Sequence, residues 1–264
     1  MASEGTHKLL SLEDLAIGYS SKNRSVMVSK NISLSLAEGE LVSLVGANGI
    51  GKSTLLRTLA GMQSALNGSI LLNGKNLNNY TLHQLASQLS VVLTEAPASK
   101  NLTVSELISL GRQPYTNWMG KLSDADIAAI DLAMKATNTQ NLFERKCYEL
   151  SDGQLQRVLI ARALAQDTPL ILLDEPTTHL DLYHRAYILK LLKNLARETK
   201  KTILFSSHEI DLAIQLSDKM IVMATDCTYF DTPDNLIREG RFETLFPKET
   251  IDFDSKSGRF TIKN

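Results

Sequence analysis

The densest chemistry in the chain lies in Gly46-Ala47-Asn48-Gly49-Ile50-Gly51-Lys52-Ser53 and the adjoining Thr54. The segment fits G-x-x-x-x-G-K-[ST], follows the apolar run Leu41 to Val45 and leads into the helix-like Thr54 to Ala60, the setting a phosphate-binding loop requires. Its glycines let the backbone curl so that several N–H donors face an anion, and the following helix adds the positive end of its dipole. Lys52 is expected to reach the β- and γ-phosphates of a nucleotide, and the Ser53 hydroxyl suits Mg²⁺, a hard cation that takes oxygen donors. An ordinary glycine-rich turn would leave three glycines and the Lys-Ser pair unexplained at a strand-to-helix junction.

Two other short apolar runs end in groups that serve phosphate chemistry: Leu170 to Leu173 leads into Asp174-Glu175, and Ile203 to Phe205 leads into Ser206-Ser207-His208. Each is too short for a helix and reads, with Leu41 to Val45, as a buried parallel strand. Ligands of open parallel α/β sheets bind outside the carboxyl ends of the strands, so the three segments are expected to converge on one ligand. Met220 to Ala224 reads as another strand, and Leu182 to Ala196 as an amphipathic helix lying on the sheet. Between these elements, Val104 to Leu110 and Asp124 to Ala136 read as helices, with turn signals at Pro114 and Gly120; residues near 96–160 form a helical insertion. The tail from Asp252 to Asn264 admits a dimer contact, a regulatory segment or a final strand, and the last is preferred.

Composition narrows the function classes. The 264 residues suffice for one domain with a substantial core, and 28 basic against 29 acidic residues give a net charge of -1. That balance provides no global attraction to nucleic acid or anionic lipid. Cys147 and Cys227 lack metal-type spacing, so a reducing compartment fits best. The N-terminus reads as the approach to a first strand and lacks a secretory signal pattern. No apolar stretch approaches the roughly 18 residues needed to cross a bilayer.

A phosphate loop alone admits GTPases, kinases and many ATPases; Leu150-Ser151-Asp152-Gly153-Gln154, followed by Arg157 and a helical run, discriminates among them. This segment resembles the signature motif of the ABC ATPase family, and it precedes Leu170 to Glu175 in the order signature then Walker B. Pro176 to Asp181 resembles the family's D-loop, His208 its switch histidine, and Tyr19 the aromatic residue that stacks on adenine. The resemblance covers essentially the whole chain. It implies an α/β fold, a P-loop NTPase (RecA-like) core with an inserted helical subdomain, as one ABC cassette over residues 1–264.

The resemblance also implies the roles. ATP and Mg²⁺ are the cofactors; Ser53, Asp174 and Glu95 lie at metal-ligand positions, Glu175 where a general base is expected, and His208 at the γ-phosphate. Ser151, Gly153 and Gln154 would face the nucleotide of a second copy in a head-to-tail dimer, with Asp181 in the D-loop beside it. Two departures stand out: Asp152 replaces the usual glycine, and Glu95 stands where the Q-loop glutamine is usual. The Asp152 charge must point away from the phosphate or be neutralised. His179 and His184 have no ligand cluster around them and are read as structural.

Asn101 to Tyr115, with its Leu110-Gly111-Arg112-Gln113-Pro114-Tyr115, resembles the corresponding stretch of ferric-siderophore, haem and cobalamin importer ATPases. That resemblance implies a peripheral energising subunit on the cytoplasmic face of the inner (plasma) membrane. Its partners would be a second copy of the chain, integral membrane permease subunits and, indirectly, a substrate-binding protein, with no nucleic acid. Residues near 95–120 are the expected transmission surface. A soluble cassette acting on a non-transport assembly and an exporter ATPase are the alternatives.

Overall fold

The computed structural model describes residues 8–21, 24–94, 101–246 and 249–262. Two long strands open the chain, β1 (Lys8–Ser21) and β2 (Arg24–Ala37), paired antiparallel with several bulges. The chain then enters the fully buried β3 (Leu41–Gly46) and, past the glycine loop, α1 (Lys52–Leu59). It returns to the first sheet through β4 (Asn67–Leu72) and β5 (Lys75–Asn76), completing the antiparallel order β2-β1-β4-β5. The short α2 (Leu82–Ala86) leads to β6 (Leu89–Val92).

Among the described residues, three α-helices separate β6 from the next strand: α3 (Val104–Ser109), α4 (Asp124–Ala136) and α5 (Asp152–Ala165). Then come β7 (Leu170–Leu173), α6 (Leu182–Thr199), β8 (Thr202–Ser206), α7 (Ile210–Leu216), β9 (Lys219–Met223), β10 (Thr228–Asp231) and α8 (Pro233–Arg238). The second sheet has the order β10-β9-β3-β8-β7-β6, parallel from β9 to β6, with β10 antiparallel at its edge.

The period-two geometry of the strands divides the core. Val42, Leu44, Leu170, Leu172, Leu204, Ile221 and Met223 point to one face and pack with α1 and the antiparallel sheet. Leu41, Val45, Ile171, Leu173, Ile203, Phe205, Met220 and Val222 point to the other, toward α6, α7 and the inserted helices. Burial on both faces is why these strands read as continuous apolar runs. The sheet is therefore rigid at the ends from which the motif loops emerge.

Within the insertion, the Arg112 guanidinium, 7% exposed, donates from Nε to Asp126 Oδ1 at 2.8 Å and from NH1 to the Ala165 carbonyl at 2.7 Å. Asp126 also accepts from the Ser123 hydroxyl and backbone N–H at 2.6 and 2.9 Å. The Ser123 hydrogen bonds, helped by Arg112, hold its pKa down at about 2. One carboxylate thus completes the N-terminal capping box of α4 and ties that helix to α5. At the C-terminal end the expected single strand is a hairpin, β11 (Ile251–Asp254) with β12 (Arg259–Ile262). Gly258, at φ 66°, supplies its turn, and Phe253 stacks between Phe242 and Phe260 at 5.0 and 4.9 Å.

Candidate functional site

The loop between β3 and α1 is where the phosphate motif lies. Gly51 is the N-cap of α1 with φ 113°, and a Cβ there would fall 2.4 Å from Val28 Cγ1, so both backbone and space demand glycine. The Leu55 N–H already donates to the Gly51 carbonyl at 2.8 Å, so the helix begins at Lys52, two residues before the sequence pattern placed it. Lys52 is 5% exposed; its ammonium donates to the Gly46 and Ala47 carbonyls at 2.9 and 3.2 Å. Burial lowers its pKa from the ordinary lysine value, while the negative charges of Glu175 and Asp174 act in the opposite direction. A desolvated cation held by carbonyls alone is a strong attractor for an anion.

A cleft of about 350 Å³ opens here, lined by Tyr19, Asn48, Gly49, Gly51, Lys52, Ser53, Thr54, Glu175 and His208. Ile50 turns its side chain away and packs against the core beneath the loop. Tyr19, on β1 opposite Val26, leaves its ring 55% exposed while its hydroxyl lies 3.0 Å from Thr54 Oγ1. An exposed ring tethered to α1 beside a phosphate loop suits stacking on a nucleotide base.

The parallel register Leu173 with Phe205 brings the ends of β7 and β8 side by side and places Asp174 next to Ser206. Asp174, 6% exposed, accepts at Oδ1 from the Ser53 hydroxyl at 3.1 Å and from the Ser206 hydroxyl at 2.7 Å. Its carbonyl accepts from the Thr94 hydroxyl at 2.9 Å. Glu175 follows at φ 50°, a sparsely populated conformation for a side-chain-bearing residue. Its Oε1 is 2.5 Å from His208 Nε2, its Oε2 accepts from the Thr178 hydroxyl at 3.1 Å, and its N–H donates to Ser206 Oγ at 2.8 Å. A serine hydroxyl and a buried carboxylate 3.1 Å apart are an all-oxygen donor pair that fits Mg²⁺.

The signature segment is built differently. Ser151 is the N-cap of α5: its hydroxyl accepts from the Gln154 N–H at 3.3 Å, and Gln154 Oε1 accepts from the Ser151 N–H at 3.1 Å. Asp152 occupies the first helical position and is exposed, where the positive end of the helix dipole favours a carboxylate. This accounts locally for the replacement of glycine. Gly153 is buried, and a Cβ there would come 2.8 Å from the His184 ring of the same chain. Asp181 caps α6, accepting from the His184 N–H at 2.8 Å and lying 2.9 Å from its Nδ1.

None of Ser151, Gly153, Gln154 and Asp181 lines the phosphate cleft. Asp152 borders a second space of about 330 Å³ with Thr94, Asp174, Glu175, Thr178 and His179. The single chain therefore gathers Tyr19, the loop, Asp174, Glu175 and His208, and of the signature only Asp152 shares a space with the two carboxylates. Glu95 lies outside the described residues.

Thr94, Thr178, Ser206 and Arg185 had no individual role in the sequence reading. Thr94, Thr178 and Ser206 hold the Asp174-Glu175 segment through hydroxyls. Arg185 donates from Nε to the Leu180 carbonyl at 2.6 Å and pairs through NH1 with Glu209, joining the end of the D-loop to the residue after His208. Only the placement of Ser206 at the end of a strand beside the motif strand hinted at such a role. The other contacts depend on loop conformation.

A model of the ABC transporter family matches residues 29–178. The iron(3+)-hydroxamate import ATP-binding protein FhuC of Bacillus subtilis is 39% identical over 214 residues, covering 81% of this chain and 78% of that protein. Among solved structures, an inward-facing ABC transporter of metal-chelate type matches with TM-score 0.78 and 28% identity, covering 96% of this chain and 95% of that one. The dimeric post-hydrolysis state of the ATP-binding cassette MJ0796, bound to ADP and Pi, matches with TM-score 0.72 and 27% identity, covering 85% and 98%.

Proposed function

The chain belongs to the ABC transporter family, and from that premise we propose that it is the ATP-hydrolysing subunit of a membrane importer for a metal chelate of the ferric-siderophore, haem or cobalamin kind. The observation that carries the catalytic part of this reading is the convergence, at one cleft, of a buried lysine, a hydroxyl-carboxylate donor pair and a second carboxylate paired with histidine.

In this reading ATP lies with its adenine on Tyr19 and its phosphates against Lys52 and the amides of residues 46–53, Thr54 closing the loop. Mg²⁺ would be held by Ser53 and Asp174, with Glu95 as a further ligand, and would supply positive charge to the phosphates. Glu175 accepts a proton from the attacking water as its oxygen bonds to the γ-phosphorus and the bond to the ADP oxygen breaks. His208, whose Nε2 is 2.5 Å from Glu175 Oε1, would contact the γ-phosphate. Ser151, Gly153 and Gln154 of a second copy complete the pocket from the far side with helix N-terminal amides, and Asp181 lies at the same interface.

Transport needs a surface that senses this closure. No helix among the described residues is long and apolar enough to cross a membrane. In the importer reading, which the similarity to an import ATP-binding protein supports, permease subunits supply the pathway and this chain sits peripherally on the cytoplasmic face. Support for a docking surface comes from a groove of about 640 Å³ between α2 and α5, and from Leu82, Trp118 and Met119, which are 86%, 93% and 65% exposed. Exposed apolar side chains at this groove and on the helical insertion fit an integral membrane partner. Purification of the tagged native chain from membranes in mild detergent, with mass spectrometry of what stays bound, tests the reading. A multi-span permease is the expected companion. Recovery only with soluble assemblies overturns the importer role while leaving the ATPase in place.

A further inference from the structure

We propose that Ser206 is a positioning residue for ATP hydrolysis, its single hydroxyl setting both Asp174 and Glu175 from behind the cleft. The inference rests on the roles proposed above for those two carboxylates. Ser206 ends β8 and is fully buried, so it reaches neither nucleotide nor solvent. A hydroxyl has one proton to give and two lone pairs to receive with. Here the proton goes to Asp174 Oδ1 at 2.7 Å, and a lone pair takes the Glu175 N–H at 2.8 Å. One atom thus holds a side chain and the adjacent backbone.

The two bonds act at a strained stretch of backbone. Glu175 has φ 50° and precedes a proline, a combination that persists only when its surroundings over-determine it. The Ser206 oxygen is the acceptor that fixes the Glu175 N–H, at 2.8 Å. On Asp174 the hydroxyl shares Oδ1 with Ser53, whose 3.1 Å bond is the longer. Ser53 lines the cleft, where a metal would meet it; Ser206 is fully buried and does not line it. Thr94 and Thr178 assist from the Asp174 carbonyl and the Glu175 carboxylate, but neither touches both residues.

The parallel register makes the arrangement a property of the sheet. Leu173 pairs with Phe205, so the residues one step further on β7 and β8 are neighbours before the loops diverge. Alanine at 206 removes the hydroxyl and little volume, whereas threonine keeps the hydroxyl on a residue suited to strands.

Ser206→Ala and Ser206→Thr are to be compared with the native chain in steady-state ATPase assays, in Mn²⁺ titrations of the complex with a non-hydrolysable ATP analogue followed by electron paramagnetic resonance, and in thermal unfolding. Ser206→Ala is expected to lower kcat about tenfold, the size of one lost charge-assisted hydrogen bond, with KM for ATP within about twofold. Its Mn²⁺ half-saturation should rise several-fold, and Ser206→Thr should recover most of both. Native kcat and native Mn²⁺ binding in Ser206→Ala overturn the proposal. So does equal loss in both variants in step with a lower Tm, since that pattern reports packing alone. Glu175→Gln measured alongside separates this inference from its premise: normal turnover there refutes the role given to Glu175 and takes the Ser206 role down with it.

Discussion

The phosphate cleft and the signature helix are two halves of one proposed site, and they differ in how they are built. At the cleft every functional group is anchored within the chain: Lys52 on carbonyls, Asp174 on two serines, Glu175 on His208, Thr178 and Ser206. At the signature, Ser151 and Asp152 are exposed, and the hydrogen bonds between Ser151 and Gln154 cap their own helix. The first half is pre-organised by a two-sided core. The second presents a helix N-terminus to whatever docks on it. Lys52 and Asp174 are buried where dielectric screening is weak, Glu175 is half-buried and His208 exposed, whereas Ser151 and Asp152 lie open at the surface.

The largest expected effect tests the pre-organised half. Glu175→Gln should retain ATP binding and lose turnover by about a thousandfold, as removal of a general base does. Unchanged steady-state hydrolysis would show that the His208-Glu175 pair is not where water is activated.

The next measurement sharpens the division itself. Lys52→Ala should lose nucleotide affinity, and Ser151→Arg should bind ATP as a lone chain yet fail to hydrolyse it. Mixed, the two should regain activity above either alone, because one of the two composite sites then has an intact lysine facing an intact signature. No recovery on mixing, with dimers present, would place both halves in the same chain's function.

A smaller loss is expected at the base. Tyr19→Ala should weaken ATP binding by about tenfold, the scale of one lost stacking platform, while Tyr19→Phe, which loses only the contact to Thr54, stays close to native. Equal losses in both variants would assign the residue to the α1 tether.

The least effect falls on the scaffold behind the signature. Ser123→Ala should cost about 1 kcal/mol of stability, a typical N-cap value, measured by denaturant titration. Asp126 has its pKa lowered from 3.8 to about 2, so its contribution is present above pH 4 and is lost as the pH falls through 2. The stability gap between native and variant should therefore narrow in acid; a gap independent of pH from 5 to 2 would detach Ser123 from that carboxylate.

Much of this architecture was legible in the residues. The runs at Leu41, Leu170 and Ile203 are strands because burial on both faces demands continuous apolar sequence, and the helix over Asp124–Ala136 has its cap at Ser123 and an acidic first turn. The long pair β1 and β2 was not legible, because its bulges break the period-two alternation and β2 is exposed over its first residues. The C-terminal hairpin was half legible: its turn rests on Gly258, but its reason to exist is the aromatic contact of Phe253 with Phe242 and Phe260, a meeting that spacing along the chain does not reveal.

The sequence by itself determined the chemistry. A glycine loop ending in Lys52-Ser53 admits phosphate and a hard cation, Asp174-Glu175 after a buried strand provides two carboxylates, and the signature order names the family, since each depends on residue types at short, local spacing. Only the tertiary structure decided how those groups are held. Parallel pairing of β7 with β8 sets Ser206 between Asp174 and Glu175, Arg185 ties the D-loop to Glu209, and His184 rests against Gly153. Those contacts join residues from different motifs, and their geometry follows from sheet register and helix packing, which no local spacing encodes.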